Sequence, residues 1–406
     1  MDHVSRPCPK QVCRVHQAVE PSFPSIATEA AKPRTILYLV TEDWYFVSHR
    51  LPLAVAARNA GYRVVIATRF DHHRSSLEAE GFLLRPIRLR RRGASLVGEA
   101  LAILELRRLY LELAPAVIHH IALKPVVFGS VAAIGLRRCA VVNAVAGLGF
   151  LYTSRRLMAR VLRPMVSGAL RVLLRRNRSV VIVQNGSDRA QLIDRGLVRP
   201  AQIRSMPGAG VDLDSFTALP EAAGTPVVAF AGRMLWAKGV GDFVAAARAL
   251  KSRSIEARFV LIGEPDTENP DAVPMESLQA WAREGVIELW GKRSDMPTAL
   301  AAVHIVCLPS VYGEGVPKIL LEAAACGRPV VTTDWPGCRD AVRAEETGLL
   351  VPPGDVPHLA DALERLLLDA PLRQEFGRAA RRLAEREFDV KSVVAATLEI
   401  YAELTA

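Results

Sequence analysis

Two carboxylates and two cations are the residues of this 406-residue chain whose types and spacing suggest chemistry: Glu314 with Glu322, and Arg233 with Lys238. The string Gly313-Glu314-Gly315-Val316-Pro317-Lys318 runs through Glu322 to Gly327 and reads as a loop followed by a helix. Pro317 suits a first helical turn, where its missing N–H is not needed, and Gly327 suits the C-terminal cap. The helix is therefore expected to start just after Glu314. Its unpaired amides from Gly315 to Lys318 would then take a diphosphate against the positive end of the helix dipole. Gly315 lets the chain come close, and Glu314 and Glu322 are placed to accept hydrogen bonds from hydroxyl groups on either side of the phosphates. A sugar ring and a ribose fit those two positions. Either Glu alone reads equally as a helix-favouring or solvent-facing carboxylate; the complete string is far more specific.

The cations stand in Phe230-Ala231-Gly232-Arg233-Met-Leu-Trp-Ala-Lys238-Gly239, between a strand and a helix. Arg233 offers a planar fork and Lys238 a mobile point charge, both suited to phosphate oxygens. Elsewhere in a sequence such a pair is a solvated face; at a strand-to-helix turn it gains meaning. In the N-terminal half, Thr41 to Pro52 follows the first strand, and Ser48 is expected to cap a helix with His49 and Arg50 in its first turn near a cleft. His119 and His120 end a strand, so alternation should point at least one of them into that cleft.

The elements that position these residues follow from periodicity. Short apolar runs begin at Thr35, Tyr62, Ala116, Ala140 and Val180, and again at Pro226, Ala257, Val286, His304 and Pro329, separated by helical patterns. Strands alternating with helices of this length imply parallel sheets whose ligands gather at the carboxyl ends of the strands. The reading is an α/β chain of two Rossmann-like domains facing across a cleft. It predicts a disordered tail over residues 1–32, a first domain over 33–200, a second over 201–385, and a C-terminal helix over 386–406 that could pack on either domain, including back on the first.

The string from Glu314 to Glu322 resembles the E-x7-E signature of family 4 glycosyltransferases, and Leu308-Pro-Ser310, Asp334 to Arg339 and Thr347 to Pro353 also resemble the bacterial polysaccharide members of that family. The resemblance covers roughly Thr35 to the C-terminus and implies the GT-B fold and a retaining sugar transfer from a nucleotide-diphosphate donor, a UDP-sugar. It implies that Glu314 contacts the transferred sugar, Glu322 the ribose diol, and Arg233 and Lys238 the leaving diphosphate. Gly232, Gly315, Val316, Pro317 and Lys318 would complete the donor site. Those cations would replace a divalent metal, and no Asp-x-Asp motif stands at a donor position, so neither metal nor other cofactor is expected. The family keeps a histidine on the donor sugar, here His119 or His120. The resemblance also favours acceptor binding by Glu42, His49 and Arg50, and by the loop Asn143 to Phe150, with Gly147 and Gly149, which borders the cleft. One departure is Tyr312-Gly313 where many members have Tyr-Arg, which puts a sugar-specific contact from that Arg in doubt.

The formal net charge of +10 implies an anionic partner. Eight arginines and no acidic residue lie between Leu151 and Val180, interleaved with leucines, an amphipathic basic stretch suited to an anionic membrane surface through Arg155, Arg156, Arg160 and Arg163. The acceptors in the resembling subgroup, polyprenyl-diphosphate-linked sugars, agree with peripheral placement on the cytoplasmic face of the inner membrane. Six scattered cysteines fit a reducing compartment, and no apolar run is long enough to span a bilayer. The rival readings are a nucleotide-sugar 2-epimerase of the same architecture, and a basic membrane- or nucleic-acid-binding protein without catalysis. No nucleic-acid motif accompanies the charge, so no nucleic-acid partner is expected.

Overall fold

The computed structural model describes residues 33–91, 95–145, 147 and 167–406. The expected tail, Gly149, and Arg155, Arg156, Arg160 and Arg163 lie outside the described residues. Two all-parallel sheets organise the rest. The first is built from β1 (Thr35–Glu42), β2 (Arg63–Arg69), β3 (Leu83–Pro86), β4 (Val117–Ile121), β5 (Ala140–Val145), β6 (Ser179–Val183) and β7 (Ile203–Ser205), in the order β3-β2-β1-β4-β5-β6-β7. β8 (Val227–Ala231), β9 (Arg258–Ile262), β10 (Glu288–Gly291), β11 (Ile305–Leu308), β12 (Val330–Thr333) and β13 (Gly348–Val351) form the second, in the order β10-β9-β8-β11-β12-β13. The first sheet thus continues to β7, past the strand Val180–Val183 at which the sequence pattern ends it.

Helices cover both faces of each sheet, which is why the strands read as near-continuous apolar runs. Alternate β1 residues enter different cores: Ile36, Tyr38 and Val40 pack with Phe46 and Leu53, whereas Leu37 and Leu39 pack with Leu106 and Tyr110. The winding reverses between β1 and β4 in one sheet and between β8 and β11 in the other. Open α/β sheets bind ligands beyond the carboxyl ends of their strands at such reversals.

The helix after β1 spans Asp43–Asn59 and so begins six residues before His49; Ser48 lies inside it and does not cap it. Its start is fixed from a distance. One carboxylate oxygen of Asp43 accepts the backbone N–H groups of Asp71, His72 and His73 at 2.9–3.0 Å, and the other accepts that of Trp44 at 2.7 Å. Burial opposes the ionised form of Asp43, but these bonds prevail and lower its pKa.

The last helix, Val390–Thr405, returns to the first domain, where Val393, Ile400 and Tyr401 pack against the core of Ile36, Tyr38 and Phe46. The chain therefore passes between the domains twice. The two passages lie side by side: the Val211 N–H donates to the Phe388 carbonyl at 2.8 Å and the Val390 N–H to the Val211 carbonyl at 3.0 Å.

Candidate active site

A cavity of about 290 Å³ opens where the carboxyl ends of β8, β9 and β10 and the loop after β11 meet the start of the helix Asp43–Asn59. From β8 come Gly232, with φ of +151°, then Arg233 and the short turn Trp236–Lys238. Gly239, at φ +81°, closes that turn against the Pro309 carbonyl, where a Cβ would overlap the backbone. Lys238 is thereby buried to 7% exposure, and its Nζ lies 2.9 and 3.0 Å from the two carboxylate oxygens of Glu314. Arg233 donates through one terminal nitrogen to Asp266 at 2.8 Å, and its guanidinium lies over the rings of Trp44 and Tyr312.

The helix carrying Glu322 spans Lys318–Ala325, with Pro317 as its N-cap. It starts later than expected after Glu314, because Pro317 adopts the extended ψ of 124° and the first turn closes only beyond it. Of the amides anticipated for phosphate, that of Val316 donates to the Gln184 side chain at 3.2 Å and Pro317 has none, which leaves Gly315 and Lys318. Glu322 is not a solvent-facing carboxylate. It is buried on the cavity wall with Lys318 Nζ at 3.0 Å; burial raises its pKa and Lys318 opposes that rise. Glu314, Pro317 and Lys318 line the same cavity, whereas Gly315 and Val316 do not. Gly315 is required there, since any Cβ would overlap the Gln184 side chain.

On the opposite wall stand Trp44, Tyr45, Ser48 and His49. His49 donates through Nδ1–H to the Tyr45 carbonyl at 3.2 Å and stacks on the Tyr45 ring; burial, with Arg50 nearby, pushes its pKa down to about 3, so it is neutral near pH 7. The other expected acceptor-side residues are placed differently. Arg50 is buried behind the wall, and Asn143 is fully buried in β5, bonded to His120 and Ser130. Glu42 is 2% exposed and reaches Arg69 at 2.9 Å, leaving its other oxygen without a partner. Gly147, at φ +92°, sets the first domain against the Glu314 loop: a Cβ there would fall 2.5 Å from the Gly313 carbonyl oxygen and 2.7 Å from Glu314 Cα.

The expectation that His119 or His120 faces the cleft is corrected. Both are 0% exposed and neither lines the cavity. His120 is held between the Tyr110 hydroxyl at 3.1 Å and Asn143 at 2.8 Å, and burial takes its pKa to about 4. His119 turns to the other face of the sheet, where Nδ1 meets the Tyr401 hydroxyl of the returning helix. Both faces of β4 are covered, so alternation sends each ring into a core. Conversely, Lys292, Arg293 and Met296, just beyond β10, line the cavity without having been singled out. The rule that ligands gather at carboxyl ends of strands, applied to the strand at Val286, would have found them.

Glu42 carries a prediction about pH. Burial raises its pKa to about 7, outweighing Arg69, so between about pH 4.5 and 7 the folded protein holds a proton that the unfolded chain has lost. That makes ionisation of Glu42 a cost to stability as pH rises through this window, and the cost is constant above it. The stability of the native protein minus that of Glu42→Gln is therefore expected to fall from pH 4.5 to pH 7 and then level off, as read by denaturant melts of both proteins. A flat difference would show that Glu42 is ionised throughout.

Two facing α/β domains with two carboxylates, five cationic side chains and a helix start converging on one cavity define a site for an anionic, hydroxyl-bearing ligand. Residues 35–185 match the family model for glycosyl transferase 4-like proteins and residues 225–369 that for glycosyl transferases group 1; between them they take in nearly all of both sheets, and the chain belongs to this glycosyltransferase family. It is 35% identical over 176 residues to the N,N'-diacetylbacillosaminyl-diphospho-undecaprenol alpha-1,3-N-acetylgalactosaminyltransferase of Campylobacter jejuni, a match covering 43% of this chain and 44% of that protein. The aligned part is thus less than half of that relative's length. Among solved structures, Anabaena HepE in complex with UDP superposes with a TM-score of 0.71 at 20% identity, covering 91% of this chain and 100% of that one. Sucrose-phosphate synthase from Thermosynechococcus elongatus gives 0.74 at 21%, covering 91% and 99%. These likenesses establish the GT-B fold.

Proposed function

We propose that this protein is a retaining glycosyltransferase that needs no metal and moves a sugar from a nucleotide-diphosphate donor, a UDP-sugar, to a polyprenyl-diphosphate-linked saccharide in cell-surface polysaccharide synthesis. The observation that carries the reading is the pairing of Lys238 with Glu314 in one cavity with Arg233, the start of the helix Lys318–Ala325, and Glu322. The diphosphate takes Arg233, Lys238 and the amides at that helix start, Glu322 takes the ribose diol, and Glu314 the transferred sugar. Attack by the acceptor hydroxyl on the anomeric carbon breaks the carbon–oxygen bond to the diphosphate on the same face, and the leaving phosphate oxygen accepts the hydroxyl proton. Preorganised positive charge at the leaving group supplies the main stabilisation of that step.

The family supports transfer. The acceptor class is supported by the Campylobacter relative, whose name specifies a diphospho-undecaprenol-linked sugar, and the donor class by the UDP complex of HepE. Such an acceptor places the protein at the cytoplasmic face of the inner membrane, in contact with anionic lipid; among the described residues no helix is long and apolar enough to cross a membrane. Thermal melts with a panel of nucleotides and nucleotide-sugars, with and without EDTA, test the reading. One diphosphate nucleotide at about 100 times its Kd should stabilise the fold by roughly 2.7 kcal/mol, undiminished by EDTA. A protein shifted only by polyanions or anionic vesicles is not a donor-using enzyme, and a shift abolished by EDTA removes the metal-free part of the proposal.

A further inference from the structure

The loop after β9 extends the donor-side cations toward the other domain. Its backbone is pinned to the Arg233–Lys238 segment along its length: the Met234 N–H donates to the Glu264 carbonyl at 3.0 Å, those of Trp236 and Ala237 to the Asp271 carbonyl and carboxylate at 2.9 and 2.8 Å, and that of Val273 to the Met234 carbonyl at 2.9 Å. The loop and the cation segment therefore move together. At its tip, two carboxylates meet two arginines of the first domain. Asp266 Oδ2 is shared between Arg233 at 2.8 Å and Arg91 at 2.5 Å, and Glu268 accepts from Arg69 at 2.9 Å. Arg69 in turn is anchored in its own domain by the buried Glu42 and by Asp71. Neither Arg69 nor Arg91 lines the donor cavity.

We infer that Asp266 and Glu268, with Arg91 and Arg69, form an electrostatic clasp that closes the two domains on each other and, through the shared Asp266 oxygen, sets the orientation of Arg233 for the leaving phosphate. Arg91 competes with Arg233 for one oxygen, so its arrival on closing loosens the hold of Asp266 on Arg233 and lets the fork turn to a diphosphate. Bound to Asp266 alone, Arg233 has a full-strength carboxylate partner and less reason to leave it. Asp266, Arg91, Arg69 and Glu268 are thus positioning residues. Their role in transfer rests on the glycosyltransferase reading; the closure of the domains does not.

The test is Arg91→Gln, alone and combined with Asp266→Asn, in the full chain. Arg91→Gln is expected to lower kcat about tenfold, equivalent to about 1.4 kcal/mol, with donor KM changed less than threefold and the melting temperature unchanged. In Asp266→Asn the same change should have little further effect, because the shared oxygen's charge is already gone. Small-angle scattering at low salt should show a larger radius of gyration for Arg91→Gln than for the native protein, and high salt should expand the native protein toward the variant. Unchanged kcat in Arg91→Gln, or fully additive effects in the double variant, overturns the positioning role. Equal radii at low salt overturn the clasp. A native protein that transfers no sugar yet opens on Arg91→Gln would refute the enzyme reading and leave the clasp standing.

Discussion

Lys238→Met is expected to reduce sugar transfer by about 10²–10³-fold, the scale seen when one preorganised donor to a developing negative charge is removed, while the protein stays folded. Methionine keeps most of the buried stem but removes the ammonium. That ammonium sits on both oxygens of Glu314, so the chain's own carboxylate holds its positive charge at the cavity. When the sugar–phosphate bond breaks, this charge lies in a buried pocket where its attraction for the departing diphosphate is little screened. Lys238→Arg separates charge from shape: a guanidinium retains the charge but is a larger, planar fork, and at a position only 7% exposed it must displace its neighbours. Partial activity is therefore expected for Lys238→Arg and near-complete loss for Lys238→Met and Glu314→Ala. Single-turnover rates with saturating donor, together with melting curves, make the comparison; a folded Lys238→Met or Glu314→Ala enzyme with native rates refutes the placement of these residues at the reacting bond.

A second large effect is expected at Gly147, far in sequence from either motif. Gly147→Ala imposes a left-handed φ of +92° on a residue with a side chain and drives its methyl into the backbone at Gly313 and Glu314. Backbone cannot rotate aside as a side chain can, so either the first domain or the Glu314 loop must retreat. Displacement of a sugar-contacting residue by about 1 Å is enough for a 10²-fold loss, and that is the loss expected here, with nucleotide binding affected less than transfer. Gly315→Ala provides the contrast, because its methyl meets the Gln184 side chain, an obstacle that Gln184→Gly removes. Activity should return in Gly315→Ala/Gln184→Gly, and no comparable side-chain trimming should rescue Gly147→Ala. Rescue of the latter by trimming neighbouring side chains would show that the backbone approach is not what matters.

Local chemistry was legible in the sequence wherever the residues that define an element are neighbours in the chain. The apolar runs announced all the described strands but β3, β7 and β13, and the string from Gly313 to Gly327 placed Glu314, Glu322 and a helix start together. What was not legible depends on distant partners. The helix at Asp43 begins where it does because three amides from residues 71–73 converge on one carboxylate. His119 and His120 looked like cleft residues because alternation tells which side of a strand a residue faces, and says nothing of what covers that side; here the covers are the helix Val390–Thr405, from the far end of the chain, and the helix Leu96–Leu113. Arg233 was readable as a phosphate ligand, but its present partner Asp266, and through it Arg91 from the other domain, belongs to the tertiary structure alone.

The side-by-side passages at Val211 and at Phe388–Val390 have a mechanical meaning. One connecting strand would let the two bodies swivel in any direction, like beads on a string, whereas two strands stitched together by hydrogen bonds act as a pair of hinge pins and leave one easy axis of rotation. Motion about that axis is a jaw-like opening, and each closing stroke returns Glu314 to the same place opposite His49. The same arrangement means that the first body is assembled only when the helix Val390–Thr405 has been made: Tyr401 fills the space beside Tyr38 and His119. A ribosome still translating the second body would hold the first one unfinished, so this chain is expected to complete its two halves together rather than in order of synthesis.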